Sequence, residues 1–508
     1  MRKWKKAISF ALATVMSLSI LAGCKVETND EALKKGDDES QFYEIKMITG
    51  YPVGQVPKDF DLVMEKVNEV LKEKINAKLT LTLVDWMGLD SNLNLKINAA
   101  EKFDICYTGV LANDYFNNVR REVFTDLTDL LPKYAPTIWK TVEPSYWDSI
   151  RSDGKIYAVI NRQIVGRQFC AAFRKTTFDA YSKTSGAKKL DEITTVEDIS
   201  DYLAFAKTQS KDDFINATFD IDGLMTYWGF DVLGGSWKIP GVVKYDDEEL
   251  KVVNQFDTDE WRSAMKLSAD WYNKGYFWPD MSINSPKFNL LQMRFPPTYK
   301  PGIETEEKQF TTYDAEFAKL GETILFTRNL QMTMNAISRT SDNPIRALKL
   351  LELLYSDKDL FNLLVFGIEG KHYHVVGETA SGLKRVELID NSGYSMPIAW
   401  AFGDQFNQWL TPGQPDDVWE QTKAVNDSAT VSKSFGFNFD SSNLKTEYAN
   451  CSNIVDEYWY NVLIGFGKSQ EKIDEMYDKF LKNLKSAGAD TIIKEMQRQI
   501  DEWKASKQ

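Results

Sequence analysis

The sequence predicts an α/β fold built on a parallel sheet, and three observations predict it. Between residues 43 and 107 the apolar pattern alternates as strand, helix, strand, helix, strand. With a short leader set aside, about 485 residues remain, enough for two or three globular domains. Beyond that leader no apolar run reaches the length of about 20 residues that a bilayer span takes, so the remainder is expected to be soluble and outside the membrane.

Residues 43–49 alternate as a strand and break at Gly50-Tyr51-Pro52. Within 58–74, Phe60, Val63, Val67, Val70 and Leu71 recur at helical spacing. Residues 78–84 place Leu79, Leu81 and Leu83 on one strand face, 91–100 read as a helix, and 103–107 as a short third strand. Such alternation packs helices on the faces of a parallel sheet. Ligands of such sheets bind beyond the carboxyl ends of the strands. Those ends are Gly50-Tyr51-Pro52, Asp85-Trp86 and Tyr107-Thr108-Gly109, which makes Tyr51, Trp86, Tyr107 and Thr108 candidate ligand contacts.

Residues 125–150 read as helix broken by prolines, 153–155 as a turn and 156–160 as a strand. Helices dominate 176–325, with 195–208 and 258–274 among them, around a Gly/Trp-rich region holding Trp228, Gly234, Gly235 and Trp237. Residues 323–326 read as a strand, and 344–355 and 358–366 as helices. Residues 400–406 carry three aromatics, and 417–430 and 448–503 read as helices.

The leader itself carries an address. Arg2, Lys3, Lys5 and Lys6 precede an apolar run over 7–21, which ends in Leu21-Ala22-Gly23-Cys24. A basic start, a short apolar core and small residues mark a cleaved secretory signal, and a cysteine in this position marks a bacterial lipobox. The expectation is a signal peptide over 1–23, lipidation of Cys24, and a chain held at the outer face of the cytoplasmic membrane. Two acyl chains anchor stably where one does not. Residues 24–41 are charged and read as a flexible tether.

The formal net charge is −13, and cleavage of the basic leader leaves the chain more acidic still. Acid excess argues against nucleic acid or anionic lipid as a partner. Cys106, Cys170 and Cys451 are scattered and form no disulfide framework; they read as small buried hydrophobes. His372 and His374 would share a strand face, but nothing nearby completes a metal ligand set, so neither metal nor cofactor is expected. The phosphate loop, the Gly-x-Ser-x-Gly elbow and the His-Glu-x-x-His motif do not occur, and no catalytic residue is assigned. Fourteen tryptophans and 22 tyrosines suit a sugar-binding cleft, because aryl faces pack on the C–H faces of pyranose rings.

Several longer stretches recur in a set order. They are Phe103-Asp104-Ile105-Cys106-Tyr107-Thr108-Gly109, Asp126-Leu127-Thr128-Asp129-Leu130-Leu131 with Tyr134-Ala135-Pro136, and Gly154-Lys155-Ile156-Tyr157-Ala158-Val159. Trp271-Tyr272-Asn273-Lys274-Gly275-Tyr276, Gly367-Ile368-Glu369-Gly370-Lys371-His372-Tyr373, residues 400–406 and the C-terminal amphipathic helices follow. By their order and spacing the chain resembles the family 1 extracellular solute-binding proteins, capture subunits of carbohydrate ABC importers, and more narrowly the LplA-type lipoproteins of Gram-positive bacteria. The loop at 294–302 (RFPPTYKPG) departs from the family pattern, and such loops set ligand choice.

The resemblance implies a two-lobed periplasmic-binding-protein-like fold (type II, Venus flytrap) with hinge strands and a helical C-terminus. One lobe would take 42–160 and 325–392, the other 161–324 and 393–508. It also implies a monomer without enzymatic activity that closes on a neutral oligosaccharide and delivers it to ABC permease subunits served by a separate cytoplasmic ATPase. Tyr107 and Thr108 would contact ligand from the first lobe, Trp228 and Trp237 from the second. Trp400 and Asp404 would act as a stacking aromatic and its polar partner. Asn161 and Arg162, just past a hinge strand, would hydrogen-bond hydroxyls. An acidic cleft, expected from the composition, would disfavour anionic sugars. The alternatives are a lipid-anchored glycoside-active enzyme, which needs only two suitably spaced carboxylates, and a ligand-sensing surface protein that binds a peptide or another polar solute.

Overall fold

The computed structural model describes residues 28–52, 56–209, 219–277, 290–459 and 469–507. The signal peptide, Cys24 and the first residues of the expected tether lie outside the described residues. Among the described residues no helix is long and apolar enough to cross a membrane.

Two sheets, each with its own buried core, make two lobes. In lobe one, β1 (Tyr43–Tyr51), β2 (Ala77–Asp85) and β3 (Ile105–Thr108) run parallel, with β1 in the middle. The helix Phe60–Ile75 crosses from β1 to β2 and buries Val63, Val67 and Leu71 on one face. Asn76, in the left-handed conformation at φ 45°, ends that helix and turns the chain directly into β2. The next helix, Trp86–Asn98, starts earlier than the periodicity of 91–100 predicts, because the Asp85 carboxylate accepts the Met87 N–H and caps it. The proline-broken stretch forms three short helices, Leu130–Tyr134, Pro136–Thr141 and Pro144–Asp148, and β4 (Ala158–Ile160) follows.

The chain then crosses to lobe two. There β5 (Arg167–Arg174) is followed by the short pair β6 (Phe230–Val232) and β7 (Val242–Lys244), then β8 (Met293–Arg294) and β9 (Ala315–Leu325). β5 and β9 pair antiparallel at the centre of the second sheet. The chain returns to lobe one as β10 (Met334–Ile337), which inserts antiparallel between β3 and β4. The first sheet is therefore mixed, in the order β2-β1-β3-β10-β4. A hairpin of β11 (Tyr373–Glu378) and β12 (Lys384–Leu388) comes next. Last, β13 (Thr430–Val431) joins lobe two beside β9. The helices Lys445–Tyr458, Gln470–Ser486 and Ala489–Ser506 close that lobe, the last burying Ile492, Met496 and Ile500.

Two of the domain boundaries are corrected. Residues beyond 393 do not pass straight to lobe two. Met396, Ile398, Phe402, Phe406, Trp409 and Trp419 all bury in the core of lobe one. Backbone and side-chain bonds fix them there: Val386 N–H donates to the Leu410 carbonyl, and the Asn362 carboxamide joins the Asn407 carbonyl to the Trp409 N–H.

The tether is the second correction. Residues 28–41 are a strap docked on lobe one. Asn29 is buried, its N–H donating to the Arg339 carbonyl and its side chain to Thr125. Asp37 pairs with Arg346 at 2.7 Å, both side chains being essentially inaccessible, and Lys349 adds a second cation at 2.7 Å. A guanidinium buried so completely requires a counterion, and the charged strap supplies it.

Three segments join the lobes, 161–166, 326–333 and the helix Val418–Ser428. Val165, Leu330 and Ala429 come together at the joint with Leu325, at the end of β9, so each crossing contributes to one small apolar contact. Asn426 locks it, accepting the N–H groups of Val165 and Gly166 and donating to the Gln163 carbonyl. Cys106, Cys170 and Cys451 are free and buried, and burial pushes the Cys106 thiol up to about 12 and that of Cys451 up to about 11.

Candidate ligand cleft

Between the lobes lie two adjoining chambers. The loop that leaves β3, Gly109-Val110-Leu111, stands where they meet. Gly109 and Val110 line a chamber of about 760 Å³, while Leu111 lines one of about 600 Å³. The loop is pressed against the second hinge segment: Val110 N–H donates to the Gln331 carbonyl, and a Cβ on Gly109 would lie 2.5 Å from the Met332 carbonyl oxygen. Arg328 lines both chambers.

The larger chamber sets Asp114, Phe116 and Arg120 of lobe one against residues 233–236, Asn438, Lys445 and Tyr448 of lobe two. In the smaller, Leu111, Met332, Thr333 and Trp400 face Arg167, Asp220, Asp222, Thr298, Lys300 and Phe310. Thr298 and Lys300 belong to the unmatched loop 294–302, so that loop forms part of the chamber wall. It is held to β5 by bonds between Gln168 and both Thr298 and Tyr299.

The strand ends do converge on aromatic rings. Trp86 stacks on Trp400 at a centroid distance of 5.2 Å and an interplanar angle of 17°, and meets Tyr107 edge-on at 5.0 Å and 77°. Trp400 lines the smaller chamber, and Trp86 backs it. The arrangement depends on Gly50 in β1, where a Cβ would come within 2.1 Å of the Trp86 ring. Gly50→Val is therefore expected to swing Trp86 out and break the Trp86–Trp400 stack. The measurement is near-ultraviolet circular dichroism, where the tryptophan signal should fall while the far-ultraviolet spectrum holds; an unchanged near-ultraviolet spectrum defeats the expectation.

Other candidates are placed elsewhere. Tyr107 is fully buried and its hydroxyl donates to the Met332 carbonyl; Thr108 is buried and donates to the Asn113 carbonyl. Both therefore support the cleft from behind. The hydroxyl of Tyr51 donates to the Ser395 carbonyl at 3.0 Å, and Tyr51 lines neither chamber. Asn161 is buried, donating to the Ala401 carbonyl and accepting from Asn335. Arg162 pairs with buried Asp404 at 2.5 Å and lies over the Phe406 ring. The hydroxyl-binding roles expected of Asn161, Arg162 and Asp404 thus give way to joining hinge strand β4 to the 401–406 turn. Trp228 and Trp237 pack around Trp261 in lobe two and line neither interlobe chamber. His372 accepts the Ile368 N–H at Nδ1 and meets Asp59 through Nε2 at 3.2 Å.

The charged residues of the smaller chamber overturn the expected acidic cleft. Arg294 pairs with Glu307, Lys300 with Glu306 and Arg328 with Asp222, at 2.7, 2.7 and 2.8 Å. Arg167 and Asp220 are the remaining charged lining residues. Three buried polar atoms of this chamber have no hydrogen-bond partner among the described residues: Arg167 Nε, Asp220 Oδ2 and Arg328 Nε. Burial, and then neighbouring Asp222, pushes the Asp220 carboxyl up to about 7. Burial, and then Arg328, lowers Arg167 to about 10. Sequence reading missed this group, since its members are 53 to 161 residues apart and no local pattern joins them.

Residues 433–505 match a family described as a domain of unknown function, DUF3502. Along its whole length the chain is 25% identical, over 518 aligned residues and 100% of both chains, to a protein of Streptococcus pneumoniae serotype 4 (strain ATCC BAA-334 / TIGR4) named carbohydrate ABC transporter substrate-binding protein. The crystal structure of the N-glycan transport solute binding protein NgtS from Streptococcus pneumoniae superimposes with a TM-score of 0.79 at 23% identity, covering 92% of this chain and 100% of that one. NgtS in complex with Man5GlcNAc gives a TM-score of 0.72 at 23% identity, with 92% and 99% covered. The arrangement of two α/β lobes is thus the solute-binding-protein fold that the sequence predicts.

Proposed function

We propose that the chain is a solute-binding protein that captures an oligosaccharide between its lobes and hands it to an ABC importer. The observation that carries this reading is the cleft itself, two adjoining chambers of about 760 and about 600 Å³, each lined from both lobes. Either one is already of the size that takes a small molecule, so the pair suits a chain of sugars better than a single ring. Trp400, braced by Trp86, offers the smaller chamber an aryl face for the C–H side of a pyranose. The names of the full-length relative, and of the NgtS complex with Man5GlcNAc, support a saccharide as the ligand class.

In this reading ligand closes the lobes about the three hinge segments. A ligand shifts that equilibrium only by its differential affinity for the closed form. Contacts from Trp400 on one side and Thr298 or Lys300 on the other supply it, because they act together on one ligand when the lobes approach. No turnover is required. We also assign the chain to the outer face of the cytoplasmic membrane through Cys24, as a monomer, with a permease pair and a separate ATPase as partners. The leader sequence supports the anchor, and the relative's name supports the transporter.

Intrinsic tryptophan fluorescence of the mature chain, titrated with a panel of neutral oligosaccharides, tests the reading. A saturable change with one linkage class, and recovery of the sugar intact, is the expected result. Recovery of shortened sugar would turn the assignment to a glycoside-active enzyme. Silence across neutral and acidic saccharides alike would remove sugars as the ligand.

A further inference from the structure

Of the four basic side chains lining the smaller chamber, Arg294, Lys300 and Arg328 each have a carboxylate partner. Arg167 has no ion pair among the described residues, and its buried Nε has no hydrogen-bond partner. It is the first residue of β5, one position past the hinge glycine Gly166, so the backbone at the joint fixes its place. Burial first, and then the second guanidinium, Arg328, depress its proton affinity, against the opposing pull of Asp222 and Asp220, and the Nε of Arg328 is unpartnered too. Asp220 makes no ion pair with either arginine, its buried Oδ2 has no hydrogen-bond partner among the described residues, and burial disfavours its charged form. Of the two guanidinium groups, Arg328 is thus paired, with Asp222, and Arg167 is not.

We propose that the smaller chamber recognises an acidic sugar, and that Arg167 binds its carboxylate. The inference rests on the reading of the cleft as a saccharide site. While the lobes are apart, water solvates the unpaired guanidinium. Closure removes that water, and an uncompensated buried cation is then costly. A planar carboxylate meets a guanidinium with two parallel, charge-assisted hydrogen bonds, and Trp400 on the facing lobe packs against the carbon skeleton of the same residue. Neutral hydroxyls can occupy the Arg167 donors, but they leave the charge unbalanced.

The test uses the mature chain and three matched ligands: an oligosaccharide ending in sialic acid, its methyl ester, and the same oligosaccharide without the sialic acid. A second trio ends in glucuronic acid, which separates the two sources of a sugar carboxylate. Titration calorimetry should show the free acid of one trio binding about 10- to 100-fold more tightly than its ester. Added salt should shrink that ratio, and Arg167→Gln should bring it to about one. Because the acid–ester ratio is read on the unaltered protein, a variant that fails to fold does not spoil the test. Equal binding of acid and ester in both trios, with the neutral parent still bound, overturns this inference and leaves the capture of saccharide standing. No binding by any member of either trio overturns both.

Discussion

Arg346→Ala destabilises lobe one by about 3–5 kcal/mol, the usual cost of removing one partner of a buried ion pair. The guanidinium bonds the Asp37 carboxylate through Nε and Nη2, and also donates to the carbonyls of Ile75, Asn76 and Asp38. Alanine strips the buried Asp37 carboxylate of its guanidinium, leaving only Lys349 and Asn343 as side-chain donors, and takes the Arg346 donor from the Ile75 carbonyl at the end of the helix Phe60–Ile75. Thermal unfolding should fall by roughly 6–20 °C, and a fall under about 2 °C would mean that the strap contributes nothing to the fold. Acid gives a second arm. Burial alone would raise the Asp37 carboxyl, but hydrogen bonds from Arg346, Lys349 and Asn343 hold it down to about 2. Its folded-state value lies below the unfolded value of about 3.9. The stabilisation is therefore complete above about pH 4 and is lost as pH falls toward 2. The gap between the native chain and Arg346→Ala should narrow over that interval.

The second large effect is on ligand. Trp400→Ala is expected to weaken oligosaccharide binding about 30-fold or more, the scale of a central aromatic anchor. Trp86→Ala should cost less, since Trp86 touches Trp400 and does not itself line either chamber. Calorimetry is the readout, because both substitutions alter the fluorescence signal. If Trp400→Ala binds as the native chain does, the stacking role is wrong; if Trp86→Ala costs more than Trp400→Ala, the roles of the two rings are exchanged.

The parts of this molecule that sequence reading reached are those that a short window determines. β1, β2 and the helix between them each run for at least nine residues with a clear period. Parallel strands place their carboxyl ends together, so Trp86 could be singled out by position, while the ring it stacks on, Trp400, came from the family resemblance. β10 escaped because four residues buried throughout carry no period. The strap escaped for the opposite reason. Its composition is that of a linker, and the partner that orders it, Arg346, lies 309 residues away in the chain. Asn161 and Asp404 show a third failure. Polar side chains beside a hinge read as ligand donors and acceptors, yet backbone carbonyls and Arg162 had already engaged them. The Arg167, Asp220 and Arg328 group shows a fourth, since only the folded chamber reveals which charges remain unpaired.

The docked strap also sets a mechanical frame for the proposed closure. Because residues 28–41 are fastened to lobe one, whatever grips the amino terminus grips that lobe and acts as its stator. Lobe two is then the rotor. An observer fixed to the amino terminus would see the cleft shut by lobe two swinging in, and the carboxyl-terminal helices, carried on it, would travel the widest arc.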